Sequence, residues 1–159
     1  MSSKISIGIV GGAGYTGGEL IRLLINHPNA DISFIHSRSN AGKPVSSIHQ
    51  DLVGETPLVF AADLSQDIDV LFLCVGHGEA RKFLQENPIA ANVKVIDLSQ
   101  DFRLTPNHTI DNRTFVYGLP ELNKEAIRNA TNIANPGCFA TAIQLGLLPL
   151  AQALSLIHI

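Results

Sequence analysis

The sequence is poor in the residues that announce several protein classes. Among its 159 residues it has no tryptophan, one methionine, and only two cysteines, Cys74 and Cys138. Two cysteines so far apart, with no C-x-x-C spacing, exclude a disulfide-stapled secreted scaffold and a zinc site built on paired thiolates. No ligand spacing links His77 to His49 or His108, so no metal is expected. An excess of one charge is missing too. Eleven Lys and Arg against fourteen Asp and Glu give a formal charge of -3. That excludes the broad field which draws proteins onto nucleic acid or an anionic membrane, and no partner of either kind is expected. No apolar run approaches the about 20 residues of a membrane helix. The start, MSSKISIGIVGG, is too short and too glycine-rich for a secretory signal. These absences point to a reducing, cytoplasmic setting.

What is present is a globular composition: 45% hydrophobic residues, 16% charged, and 13 glycines, with no low-complexity tract. At this length folding buries roughly 68 to 70% of the unfolded surface, enough for one real core. Short β-branched runs alternate with helical periodicity. ISIGIV (5–10), DISFIH (31–36), DVLFLCVG (69–76) and VKVIDLS (93–99) read as strands. GGELIRLLINHP (17–28) and GEARKFLQEN (78–87) read as the helices between them. Nearly continuous apolar strands are buried on both faces. The expected fold is therefore α/β, a doubly wound, Rossmann-type parallel sheet. Residues 42–57 are expected to be a loop with a possible short helix, and 101–123 a loop-rich excursion. A short helix (124–130), a strand (132–135) and a last helix (139–148) follow. The final LSLIHI (154–159) has no cap and no polar terminus, and it stops inside an element. It is expected to be a non-native tail, leaving a domain of residues 1–153 and a coding sequence that continues beyond.

The first turn carries chemistry. In GIVGGAGYTGGEL, Gly11, Gly14 and Gly17 stand between a strand and a helix. Gly11 permits a tight turn, Gly14 a close approach to a pyrophosphate, and Gly17 close packing of helix on strand, while the helix N-terminus faces the anion. Tyr15 and Thr16 fall in the same turn and are expected to touch the nucleotide. At the end of the second strand an NAD site usually offers a carboxylate. Here no carboxylate stands between Asp31 and Asp51; HSRSNAGK supplies Ser37, Arg38, Ser39 and Lys43 instead. Arginine grips a phosphate bidentately and hydroxyls donate to its oxygens, so NADP is the expected cofactor. A solvated polar loop is the alternative. In CVGHGEA, Gly76 and Gly78 allow a cofactor near the backbone, and His77 either lines the nicotinamide end or closes a turn.

NPGCFAT places Cys138 behind a proline-glycine turn, at the start of a predicted helix. Helix N-termini favour thiolate and offer free N–H groups to an oxyanion. Cys138 is thus the candidate nucleophile, whereas Cys74, inside a strand, reads as a buried hydrophobe. In DLSQDFRL, Arg103 is a candidate for a substrate carboxylate or phosphate, while Asp97 and Asp101 suit turn capping.

GGAGYTGGEL, SRSNAGK, VIDLSQDFRL, VYGLPELN and NPGCFAT, in this order and spacing, resemble the N-terminal half of the N-acetyl-gamma-glutamyl-phosphate reductases, NADP-dependent enzymes of arginine biosynthesis. The resemblance runs from about Lys4 to Ala153. It implies that Cys138 attacks an acyl phosphate and forms a thioester, which hydride then reduces to a semialdehyde. It places Glu121 near the active site. It also implies a second, α+β domain that supplies a histidine as acid and base, and a homo-oligomer when full length. None of the six histidines here matches that motif, so the chain alone is expected to be inactive. Phe139 and Ala140 stand where many members have tyrosine and proline. Aspartate-semialdehyde dehydrogenases share the architecture but usually carry asparagine before the nucleophile, where this chain has Gly137. A reductase of aminoadipyl phosphates and a non-catalytic NADP-binding module remain alternatives.

Overall fold

The computed structural model describes residues 4–153. β-Branched runs with few polar interruptions form the central strands β1 (Ile5–Val10), β2 (Ala30–His36), β4 (Val70–Leu73) and β5 (Lys94–Asp97). The two-residue strand β3 (Phe60–Ala61), the hairpin β6 (Thr109–Ile110) and β7 (Arg113–Tyr117), and β8 (Asn132–Ala134) complete one eight-stranded sheet. Its order is β3-β2-β1-β4-β5-β8-β7-β6. Every pairing is parallel except that of β6 with β7. The helices are α1 (Tyr15–Leu24), α2 (Glu79–Glu86), α3 (Pro120–Asn129) and α4 (Cys138–Gln152). None is long and apolar enough to cross a membrane among the described residues.

Alternation along the strands divides the core into two layers. Ile7, Ile9 and Ile35 pack with Ile21 of α1 and Phe60 on one face. Val10, Phe34, Leu71 and Leu73 pack with Leu84 of α2, Phe102 and Phe115 on the other. Phe102 and Phe115 stack with centroids 4.0 Å apart. This is the expected doubly wound sheet, and the chain leaves β1 toward β2 on one side while β4 lies on the other. Such a reversal opens a crevice at the carboxyl ends of the strands, here just after Val10 and Leu73.

Several boundaries differ from expectation. Helix α1 starts at Tyr15 and stops at Leu24, earlier at both ends than expected, because Gly14 already caps its start and the chain turns away ahead of Pro28. Residues 101–123, expected as loop, contain the β6–β7 hairpin and the first turn of α3. Residues 42–57, expected as a loop with a possible short helix, hold two short 3-10 helices, Val45–Ser47 and Gln50–Leu52. Helix α4 runs past 148 and carries Pro149 in its last turns. Residues 154–159, expected to be a non-native tail, lie outside the described residues.

Candidate active site

The glycine turn closes against β4. Gly11 has φ +80°, and a Cβ there would stand 2.3 Å from the Cys74 carbonyl oxygen, so only glycine fits. A Cβ on Gly17 would stand 2.6 Å from the Gly11 oxygen, which is how α1 settles onto the turn. Gly14 is the N-cap of α1 in extended conformation, with no side-chain cap, leaving the first N–H groups of the helix open to an anion. Tyr15 and Thr16, the first two residues of α1, are exposed beside it. A brace comes from the 42–57 segment. The buried His49 ring donates Nε2–H to the Gly12 carbonyl at 2.8 Å and lies over Gly18. Arg22 of α1 and Asp51 form an ion pair beside it that holds the Asp51 carboxyl at about 2.

A groove of ≈ 450 Å³ extends from the turn between the end of β2 and α2. Ser37, Arg38 and Ser39 line it, with His36 at its base. The Asn40 amide donates to both Ser37 Oγ (3.2 Å) and Ser39 Oγ (3.3 Å), which leaves each hydroxyl proton free to donate outward. His36 is buried, and among the described residues its Nε2 has no partner. Burial, then the Arg38 charge, push its imidazole below its ordinary value.

On the other side of the turn lies a cleft of ≈ 1130 Å³, whose lining runs from Thr16 and His77 to Arg103, Glu121 and Cys138. Cys138 is exposed and is the first residue of α4, whose N-cap Gly137 offers no side chain to its N–H groups. Cys74 differs in every respect. It is buried, and desolvation with the nearby Asp97 pushes its thiol up to about 12. The cysteine loop is held from β5. The Asn135 N–H donates to the Asp97 carbonyl at 2.8 Å, and Arg103 donates Nε to the Asn135 carbonyl and Nη2 to that of Leu98, both at 2.8 Å. A Cβ on Gly137 would lie 2.9 Å from Arg103 Nη1. Asp97 itself is fully buried and accepts from the Ser99 N–H and hydroxyl; burial pushes its carboxyl above the usual range. Asp101 accepts from the N–H groups of Gly78 and Arg81, capping α2 from a distance. Both aspartates therefore act on turns and caps.

Of the residues singled out in the sequence, Thr16, His77, Arg103 and Cys138 converge on the cleft, and Gly11, Ser37, Arg38 and Ser39 on the groove. His77 Nδ1 accepts from the Gln100 N–H at 3.2 Å, which ties the loop after β4 to the loop after β5 rather than closing its own turn. Gly78 has φ +86° and caps α2, and Gly76 accepts the Glu79 N–H. Neither lines the groove or the cleft, although Gly78 borders a third hollow behind Arg103. The His49 brace escaped sequence reasoning because its partner lies 37 residues away in the chain, and the Asn40 amide because its geometry has no spacing signature.

A family model described as the semialdehyde dehydrogenase NAD-binding domain matches residues 6–130. The chain belongs to that family. As a semialdehyde dehydrogenase NAD-binding domain it has a nucleotide-binding sheet with the glycine turn inside the matched span. Among curated relatives, the N-acetyl-gamma-glutamyl-phosphate reductases of Flavobacterium johnsoniae and Parabacteroides distasonis are 53% and 57% identical to it. They are matched over 93% and 96% of this chain and 46% of their own length. The chain thus spans about half the length of the curated relatives it matches. Aspartate semialdehyde dehydrogenase II from Vibrio cholerae has the same fold, with TM-score 0.67 at 22% identity over 95% of this chain and 47% of that one. The aspartate semialdehyde dehydrogenase of Candida albicans, solved with NADP, gives 0.66 at 18% identity over 95% and 48%.

Proposed function

We propose that this domain is the nucleotide-binding and thiol-bearing half of a cytoplasmic N-acetyl-gamma-glutamyl-phosphate reductase, acting as a homo-oligomer when full length. The observation that carries the reading is the position of Cys138. An exposed thiol at an uncapped helix N-terminus shares one cleft with Thr16 of the glycine turn and with His77, so an acyl group on sulfur and the end of a dinucleotide meet there. The names of the relatives support the substrate. The residues fit NADP: the cradle around Gly11 and Gly17 excludes any Cβ, and Ser37, Arg38 and Ser39 suit a 2′-phosphate where a carboxylate would suit a hydroxyl.

Cys138 Sγ, as thiolate, attacks the acyl carbon of N-acetyl-L-glutamyl 5-phosphate; the C–S bond forms, the C–O bond to phosphorus breaks, and inorganic phosphate leaves. Arg103 Nη1 and the first N–H groups of α4 face the departing charge and the carbonyl oxygen. NADPH held by the glycine turn and by Ser37, Arg38 and Ser39 would supply the hydride that the thioester carbon accepts. Sulfur then leaves as thiolate, regenerating the attacking group, while the oxygen re-forms the carbonyl of N-acetyl-L-glutamate 5-semialdehyde; the one proton consumed goes to the departed phosphate. His77, beside the cleft, orients the nicotinamide end. The acid–base group comes from the second domain of the longer protein, so residues 1–153 alone are inactive. The test is phosphate-dependent reduction of NADP+ by the intact protein with N-acetylglutamate semialdehyde, compared with Cys138→Ala. Turnover in the wild type alone is expected. Turnover with aspartate semialdehyde or the aminoadipate analogue in its place overturns the substrate, and activity in Cys138→Ala overturns the nucleophile.

A further inference from the structure

We propose that Lys82 of α2 is the second cation of the 2′-phosphate subsite and a determinant of NADP over NAD, an inference that rests on the nucleotide assignment above. The groove beside the glycine turn has two walls. One is the loop after β2, with Arg38 and the two hydroxyls that Asn40 gathers; the other is α2, whose Lys82 lines the same groove of ≈ 450 Å³ opposite it. Lys82 is exposed, and the ion pairs among the described residues engage neither it nor Arg38. Two unengaged cations and two outward-donating hydroxyls around one groove suit a dianionic phosphomonoester, which accepts from several donors at once.

The groove also contains two carboxylates, Glu79 and Glu86. They lie three residues before and four residues after Lys82 in sequence, so at a rise of about 1.5 Å per residue they flank it by roughly 5 Å on either side along the helix. Lys82 thus stands between the two carboxylates on the α2 wall of the groove. With two positive and two negative side chains the groove carries no net attraction for anions in general. Selectivity comes from the local placement of Lys82 opposite Arg38, and it acts on the one atom group that distinguishes the two dinucleotides. A lysine suits this place as a compact charge on a flexible stem that reaches across from a helix.

The test is calorimetric titration of the intact protein and of Lys82→Met and Lys82→Arg with NADP+ and NAD+. Lys82→Met is expected to weaken NADP+ by about tenfold, as loss of one charge-assisted hydrogen bond does, and to leave NAD+ within about twofold. Lys82→Arg is expected to restore most of the NADP+ affinity. The NAD+ affinity serves as the control for folding. Equal losses for both nucleotides, or no loss for NADP+, overturn the role of Lys82. A wild-type protein that binds neither nucleotide, or prefers NAD+, overturns the NADP assignment beneath it.

Discussion

Gly137→Ala isolates the contact between Arg103 and the cysteine loop. The dihedrals of Gly137, φ -72° and ψ 147°, suit any residue, so an alanine there meets no backbone penalty. Its methyl group would instead stand 2.9 Å from Arg103 Nη1. The guanidinium has little room to yield, because Nε and Nη2 already donate to the Asn135 and Leu98 carbonyls. Moving it forfeits at least one hydrogen bond of a charged donor, on the order of 1.5 to 3 kcal/mol. Gly137→Ala is thus expected to cost about 2 kcal/mol, which for a domain of this size lowers the melting temperature by about 4 to 8 °C. Arg103→Ala removes both bonds and costs more, about 3 kcal/mol. With the arginine gone the methyl has nothing to strike, so the double variant should match Arg103→Ala alone. Urea denaturation of the four proteins measures the cycle, and a coupling of about 2 kcal/mol is expected. Additivity within about 0.5 kcal/mol would falsify the steric account.

Iodoacetamide at neutral pH is expected to label Cys138 and spare Cys74, whose thiol burial and Asp97 hold near 12; mass spectrometry of the digested protein reads the site, and labelled Cys74 in folded protein refutes the assignment. His49→Ala removes the hydrogen bond to the Gly12 carbonyl and the ring over Gly18. It should raise the KM for NADP+ several-fold while the Cys138 labelling rate stays unchanged, and equal loss in both would show a general fold defect instead. His36 gives a pH dependence. Its folded value lies below the ordinary 6.5, so the unfolded chain binds the proton more readily and stability falls as pH drops through and below 6.5. Urea midpoints at pH 7.5 and 5.5 should converge in His36→Gln, and an unchanged difference counts against the histidine as the cause.

The β1–α1–β2 unit was legible because its signals are local: six consecutive strand residues, a glycine turn at a fixed spacing, and a helical stripe. The placement of Cys138 at a helix start followed from proline and glycine in the same way. What escaped was structure defined by pairing. β3 is two residues long and has no period of its own; it exists because Phe60 and Ala61 pair with Ile35 and His36. The β6–β7 hairpin sat in a polar stretch, although Asp111, with φ 50°, and Asn112 mark its turn. Pro120 at the first position of α3 signals a helix start, but the composition of 101–123 outweighed it in sequence. In the site, Arg103 was legible as a candidate beside the cysteine, and it lines the same cleft. Its two backbone partners were not, since they lie 5 and 32 residues away in the chain.

The sheet order carries a consequence for how the protein is made. β8, the last strand, is inserted between β5 and β7. During synthesis β6 and β7 leave the ribosome with only each other to pair with, and the open edge of β5 waits for a strand not yet translated. Residues 132–134 close both gaps at once, and four residues later the chain reaches Cys138. The Cys138 thiol is thus set in place by the same event that completes the sheet. A nascent chain too short to include β8 has exposed strand edges, which are sites for aggregation, and it presents no thiol at the cleft.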